Sequence, residues 1–135
     1  MMIATEPRPE LISVFDRYGG TGKPRAGPAT ICYDTDRDAA IARADDQFRW
    51  FGGGWPVNSE LPGPAAFAGA TEFVRPEDVA ESIPCGGDVD AVVEAVRPYV
   101  DAGFTEIALI QIGGEHQEPY LEWAEQKLLP VLRER

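Results

Sequence analysis

An alternation of strand and helix signals constrains this chain more than anything else in it. Apolar runs at Ala29–Tyr33 and Glu106–Ile112 are each followed by a helix-patterned stretch, and Met1–Thr5 has the character of a strand's closing residues. Strands separated by helices predict a parallel sheet with right-handed crossovers, because a parallel return needs a connection long enough to hold a helix. Glu106–Ile112 is apolar almost throughout, which predicts a strand buried on both faces. Only about three strands can be placed, and so narrow a sheet with helices on one side leaves a face and both edges open. The fold class is therefore α/β, and the sheet calls for further strands from a missing half or another chain.

The helices read as follows. Pro9 suits a first helical turn, and Leu11, Ile12, Phe15 and Tyr18 recur at helical spacing until Gly19-Gly20. Asp34 and Thr35 are candidate caps for the next helix, with Asp38 as a capping-box partner and Ala40, Ala44, Phe48 and Phe51 as its stripe. Gly52–Gly54 ends it, and a loop bearing Pro, Gly and Asn runs from Trp55 to Pro64. Residues 52–64 are expected to be the least ordered internal segment. Helical segments follow at Ala65–Glu72 and Pro76–Ser82, then a tight connection at Ile83–Gly87. Asp88 opens the clearest amphipathic helix, with Val89, Val92, Val93, Val96 and Val100 on one stripe. Pro98 is expected to kink its last turn. A final helix over about Pro119–Leu132 would face Tyr120, Leu121, Ala124, Leu128 and Leu132 inward.

Charge narrows the choice of partners. The chain has 23 acidic against 12 basic residues and a formal charge of −11. Such a surface repels nucleic acid and anionic membranes, so neither is expected as a partner. No apolar run reaches the ~20 residues of a membrane span, and no signal-peptide pattern opens the chain. Cys32 and Cys85 lack metal-type or redox-motif spacing and read as reduced thiols, which favours a cytoplasmic protein.

Ile3-Ala4-Thr5-Glu6-Pro7, Ile83-Pro84-Cys85-Gly86, Asp101-Ala102-Gly103-Phe104 and Gln111-Ile112-Gly113 occur in an order and spacing that resembles the C-terminal part of luciferase-like oxidoreductases. The resemblance is to the branch related to glucose-6-phosphate dehydrogenases that use the deazaflavin coenzyme F-420, and it covers nearly the whole chain. It implies the C-terminal portion of a (β/α)₈ barrel with an insertion, over residues 1–135. A closed barrel takes roughly 250 residues. It also implies hydride transfer with F-420, or with flavin mononucleotide in a related branch. In that family the ring-holding loops belong to the N-terminal half, so this chain alone is expected to bind neither cofactor and to need a missing half-barrel or a homo-oligomer partner. A non-catalytic half-barrel interaction module is the alternative from another class. The sugar-phosphate branch uses a Thr and a Lys after one strand, a Lys in the insertion, and an Arg before the Pro-Cys-Gly turn. Thr5 matches the Thr and Arg8 stands in for the first Lys, but Trp55–Pro64 has no Lys and Ser82 or a neighbour occupies the place of the Arg. The resemblance thus implies a substrate other than a sugar phosphate.

The candidate substrate-side residues are Thr5, Glu6, Arg8 and His116. The first three follow a strand's C-terminal end, the face that carries active sites in parallel barrels; the alternative is turn chemistry beside prolines. His116, the only histidine, follows the last strand and can carry a proton near neutral pH, or sit idle on the surface. No residue is assigned a catalytic role, and no metal site is expected. Gly19-Gly20-Thr21-Gly22-Lys23 fails as a phosphate loop, since Arg17 and Pro24 stand where a Gly and a Ser or Thr are required. Cys85 sits near a helix N-terminus, which can lower a thiol pKa, although a buried structural thiol is the plainer reading. Phe48, Trp50, Phe51 and Trp55 form either helix core or part of an apolar lid.

Overall fold

The computed structural model describes residues 1–134, and only the backbone of Trp55. The chain divides into two compact units: Met1–Thr30 with Asp90–Ile110, and Ile31–Val89 with the segment from Gln111 onward. Three strands, β1 (Met2–Ile3), β2 (Arg25–Ile31) and β3 (Glu106–Gln111), form one parallel sheet in the order β1-β2-β3.

The first unit is built on alternating partners of β2. Met2 and Ala4 amides donate to the Pro24 and Ala26 carbonyls on one edge, and the Thr105 amide donates to the Arg25 carbonyl on the other. β1 pairs Met2 with Arg25 and Ile3 with Ala26, then leaves the sheet. Pro28 falls on that vacated edge, so its missing N–H interrupts no ladder. This is why β2 extends back through Gly27-Pro28 to Arg25 although those two residues punctuate the sequence like a turn.

One face of each strand is covered. Gly27, Ala29 and Ile31 are buried in β2. In β3, Ile107 and Leu109 are half-buried while Glu106, Ala108 and Ile110 are exposed. The expectation that β3 is buried on both faces is thus corrected: no second layer lies over it among the described residues.

The covering layer comes from α1 (Pro9–Phe15) and α6 (Val89–Ala102), counting helices in chain order. Ile12, Tyr99, Ala102 and Phe104 form the core, with Met2, Ala4 and Ile107 against it. The α6 stripe turns on Tyr99 instead of Val100, which is exposed. Gly27 lets this happen: a Cβ there would lie 2.5 Å from the Tyr99 ring. Tyr99 meets Phe104 edge-on with ring centroids 5.2 Å apart, and its hydroxyl donates to the Thr5 carbonyl at 2.8 Å. Pro98 lies inside α6, yet the helix continues to Ala102. In α1 only Ile12 is buried; Leu11 faces solvent, and so does Tyr18, which lies in an irregular π turn at Asp16–Gly20.

In the second unit the end of β2 is held on both edges. The Ile112 amide donates to the Ile31 carbonyl at 3.0 Å. Cys32 pairs in parallel with Cys85, through Cys32 N–H to the Pro84 carbonyl and Gly86 N–H to the Cys32 carbonyl, both 2.9 Å. The tight connection at Ile83–Gly87 is thus a strand-like bridge. Helix α2 (Arg37–Phe48) starts from Asp36, whose Oδ1 accepts the Asp38 and Ala39 amides. Asp34 and Thr35 are not its caps, because Asp34 is engaged elsewhere. Ala40 and Ala44 are fully buried, and their small side chains let α5 (Pro76–Ser82) pack closely through Val79.

A 3₁₀ turn at Arg49–Gly53 leads to α3 (Trp55–Asn58) and α4 (Pro64–Ala70). The stretch read as a plain loop therefore carries a helical turn, tied down by buried Asn58, whose Nδ2 donates to the Trp50 carbonyl at 2.9 Å. The C-terminal helix runs as α7 (Gln117–Trp123), a π turn at Ala124–Leu128, and α8 (Leu129–Arg133). It buries Tyr120, Ala124 and Leu128, whereas Leu121 is exposed.

Gly27→Ala should destabilise the chain by about 1–3 kcal/mol, because a new methyl displaces the Tyr99 ring. Tyr99→Phe should lose about 1 kcal/mol, the hydroxyl bond alone. Urea unfolding of both variants measures this; a neutral Gly27→Ala would contradict the packing.

Candidate functional site

The C-terminal ends of β2 and β3 place Tyr33, Asp34, Gln111 and Gly113 next to one another within the second unit. Gln111 is the one amide in an otherwise apolar run, and it is buried. Its Oε1 accepts the Tyr33 amide at 2.9 Å, and its Nε2 donates to the Tyr33 and Ile112 carbonyls at 3.2 and 2.9 Å. Gln117 Nε2 donates to the Gln111 and Gly113 carbonyls, both at 3.1 Å. Two side-chain amides thus satisfy backbone groups that the ends of parallel strands leave open.

Asp34 is the electrostatic centre. Its Oδ1 accepts the Asp36 amide at 3.0 Å, and its Oδ2 takes Arg43 Nη1 at 2.9 Å. Arg43 Nη2 donates to the Tyr33 carbonyl at 2.7 Å. The ion pair is largely enclosed, with side-chain exposures of 11% for Arg43 and 17% for Asp34. The Asp36 amide first, and then the Arg43 guanidinium, hold the Asp34 carboxyl below the usual carboxylate range.

His116 ends the 3₁₀ turn Gly114–His116, with Nε2 at 3.8 Å from Asp34 Oδ2. That is longer than a hydrogen bond but close enough for attraction when the imidazole is protonated. Gly113 makes room for the group: with φ +94° it adopts a left-handed backbone, and a Cβ there would sit 2.7 Å from Arg43 Cδ. An aromatic wall stands beside the charges. Tyr33 stacks on Trp123 with centroids 4.6 Å apart, and Tyr120 tilts against both. A half-exposed imidazole backed by a fixed carboxylate can exchange a proton with a bound molecule. The stacked Tyr33–Trp123 pair adds a half-buried aromatic surface within the same unit.

Of the residues singled out from sequence, His116 lies in this group. Thr5, Glu6 and Arg8 belong to the first unit. Thr5 is exposed and contributes its carbonyl to Tyr99; Glu6 and Arg8 form a loose pair at 3.8 Å in solvent. Asp34 read as a helix cap, and Tyr33, Arg43 and Gln111 were not singled out. The available signals were an acid just past a strand end and an amide inside an apolar strand.

The Phe48, Trp50 and Phe51 rings cluster with Phe67, and Trp55's side chain lies outside the described residues. This cluster sits at the far end of α2 from Asp34. A helix of 12 residues is about 18 Å long. Of these rings, Trp50 and Phe67 wall a cavity of about 690 Å³ with Asn58 and Thr71. They do not form a lid over the strand ends.

No family profile and no curated protein matches the chain in sequence. In structure it is similar to an F-420-dependent secondary alcohol dehydrogenase, solved in complex with an F-420–acetone adduct. The TM-score is 0.55 at 17% identity; the likeness covers 81% of this chain and 36% of the other. At that identity the likeness establishes the fold, that of a partial (β/α)₈ barrel. The chain spans 36% of the length of that enzyme. No described helix is long and apolar enough to cross a membrane.

Asp34→Asn should cost about 2 kcal/mol at neutral pH, since it leaves Arg43 without its charge partner. A carboxyl whose folded pKa is depressed stabilises the fold above its unfolded value of 3.8 and loses that contribution as pH falls through the folded value. The gap between wild type and Asp34→Asn should therefore shrink in acid, as chemical denaturation at stepped pH would show. Gly113→Ala should cost at least about 1–2 kcal/mol through the left-handed backbone and should displace Arg43.

Proposed function

We propose that this chain supplies the substrate-side wall of an F-420-dependent luciferase-like oxidoreductase. The observation that carries the reading is the Asp34–Arg43–His116 group at the C-terminal ends of two parallel strands, the position where barrel enzymes place their chemistry. The fold likeness to an F-420-dependent alcohol dehydrogenase supports the choice of class.

The chain's own residues suit a substrate better than a cofactor. Deazaflavin and flavin mononucleotide both carry phosphate. The cation of this group, Arg43, is already neutralised by Asp34, and Glu115 and Glu118 lie beside His116 in sequence. Arg43 therefore offers phosphate no spare positive charge. The cofactor, held by the other half of the barrel, supplies the hydride-carrying ring. His116 moves a proton to or from the substrate's oxygen. The Asp36 amide and Arg43 keep Asp34 ionised and fixed behind it. Tyr33 and Trp123 hold the apolar part of the substrate and keep water from it.

The partner is the N-terminal half of a barrel, and a second copy of this chain is the alternative. A flavin mononucleotide-dependent relative and a half-barrel that only binds another half-barrel are the other readings. Calorimetric titration separates them. The chain alone should show no micromolar binding of F-420 or flavin mononucleotide. A complex reconstituted with a cofactor-side half should bind F-420, and His116→Ala in that complex should slow hydride transfer about 10²-fold or more while leaving cofactor affinity unchanged. Micromolar binding of either cofactor by the chain alone overturns the substrate-wall reading. Binding of flavin alone by the complex moves the assignment to the flavin branch.

A further inference from the structure

We propose that Cys32 and Cys85 are a redox modification site, closing to an intramolecular disulfide under peroxide and reopening with thiols. This goes beyond the cofactor reading and does not rest on it.

The two residues are direct partners in a parallel bridge. Neighbouring strands lie about 4.8 Å apart, inside the roughly 4.4–6.8 Å of Cα separation that a disulfide spans. Paired residues of a parallel ladder project to the same face, and both side chains enter one core cluster with Ala40, Ala44, Val79 and Ile83. Both thiols are free. Bond formation therefore needs rotation of two side chains and little backbone movement.

The sulfurs already interact. A hydrogen bond from Cys85, with the Arg43 guanidinium nearby, lowers the Cys32 pKa to about 7 against the effect of burial. The shared bond and burial push the Cys85 thiol up. Cys32 is fully enclosed, while Cys85 keeps 8% exposure on the glycine-flanked turn. A peroxide therefore meets Cys85 first. Its thiol first releases its proton; the thiolate then takes one peroxide oxygen, the O–O bond breaks, and the leaving hydroxide takes up that proton as one water, leaving a sulfenic acid. The Cys32 thiolate then attacks the Cys85 sulfur, the S–S bond forms, the S–O bond breaks, and the leaving hydroxide takes up the Cys32 proton as a second water. Two thiols lose two electrons and two protons, and the peroxide O–O bond is reduced. The first step is slow because Cys85 holds its proton and is little exposed. Cys32 gives up its hydrogen bond to the Ala40 carbonyl on oxidation, and Arg43 beside it also holds Asp34, so the event reaches the strand-end group.

The test is treatment of the folded chain with hydrogen peroxide, then denaturation, alkylation and mass analysis. The expected result is loss of both alkylatable thiols, a mass lower by the two hydrogens, a cross-linked peptide pair containing Cys32 and Cys85, and recovery with dithiothreitol. Cys32→Ser should instead accumulate sulfinic acid on Cys85; Cys32→Ala serves if the serine variant fails to fold. Two alkylatable thiols after treatment, sulfinic acid on Cys85 in the unmutated chain, or disulfide-linked dimers would each overturn the proposal.

Discussion

The second unit hangs on the way β2 ends. Consecutive residues there turn to different partners: the Ile31 carbonyl receives Ile112, Cys32 bridges Cys85, the Tyr33 amide meets Gln111, and Asp34 grips Arg43. Each pairing fixes the one after it. The Gln111 amide can satisfy Tyr33 only if Ile112 is already in register with Ile31. Arg43 can reach both Asp34 and the Tyr33 carbonyl only if α2 leaves the strand through the turn that Asp34 and Asp36 set. A slip of one residue in β2 would send Cys32 to the wrong edge and reverse the faces of its neighbours.

The same arrangement explains why a charged pair is tolerated next to a core of small apolar residues. Burying an arginine costs more than one ion pair returns unless its donors are otherwise met. Here Nη1 and Nη2 are satisfied by Asp34 and the Tyr33 carbonyl, while Nε is buried without a protein partner against Gly113. Gly113 thus does two things: it turns the chain out of β3 and gives Arg43 the space to lie flat. The glycine after the strand was legible as a stop signal; its second use depends on a residue far away in sequence.

Legibility elsewhere follows the same division between local and distant causes. The helices at Pro76–Ser82 and over Val89–Ala102 were readable because caps and periodicity are local. Parallel order was readable because helices must carry the crossovers. The start of β2 was not, since Gly27-Pro28 is a turn signal unless one knows that Tyr99 fills the glycine's space and that β1 has left Pro28's edge free. Val100 and Tyr99 were equally placed on the α6 stripe; the choice fell to Tyr99 because its hydroxyl finds the Thr5 carbonyl. Asp34 looked like a cap because capping is the local use of an Asp after a strand. Its partner Arg43 sits more than two helical turns away and carries no local mark.

These pairings bear on what the strand-end group can and cannot do. Asp34 and Gln111 have their side chains, and Tyr33 its backbone, committed to holding the strand ends, so these groups cannot swing to follow a ligand. His116 lies near the carboxylate with its side chain substantially exposed, at 40%. A group that is rigid behind and open in front at one nitrogen heterocycle is suited to passing a proton, not to gripping a large anion. The aromatic cluster at the other end of α2 is too far away to close over it. On the proposed reading, water is kept from His116 by the cofactor-side half that completes the barrel. A closed barrel has a packed interior, so under that proposal completing the barrel and drying the site are one event.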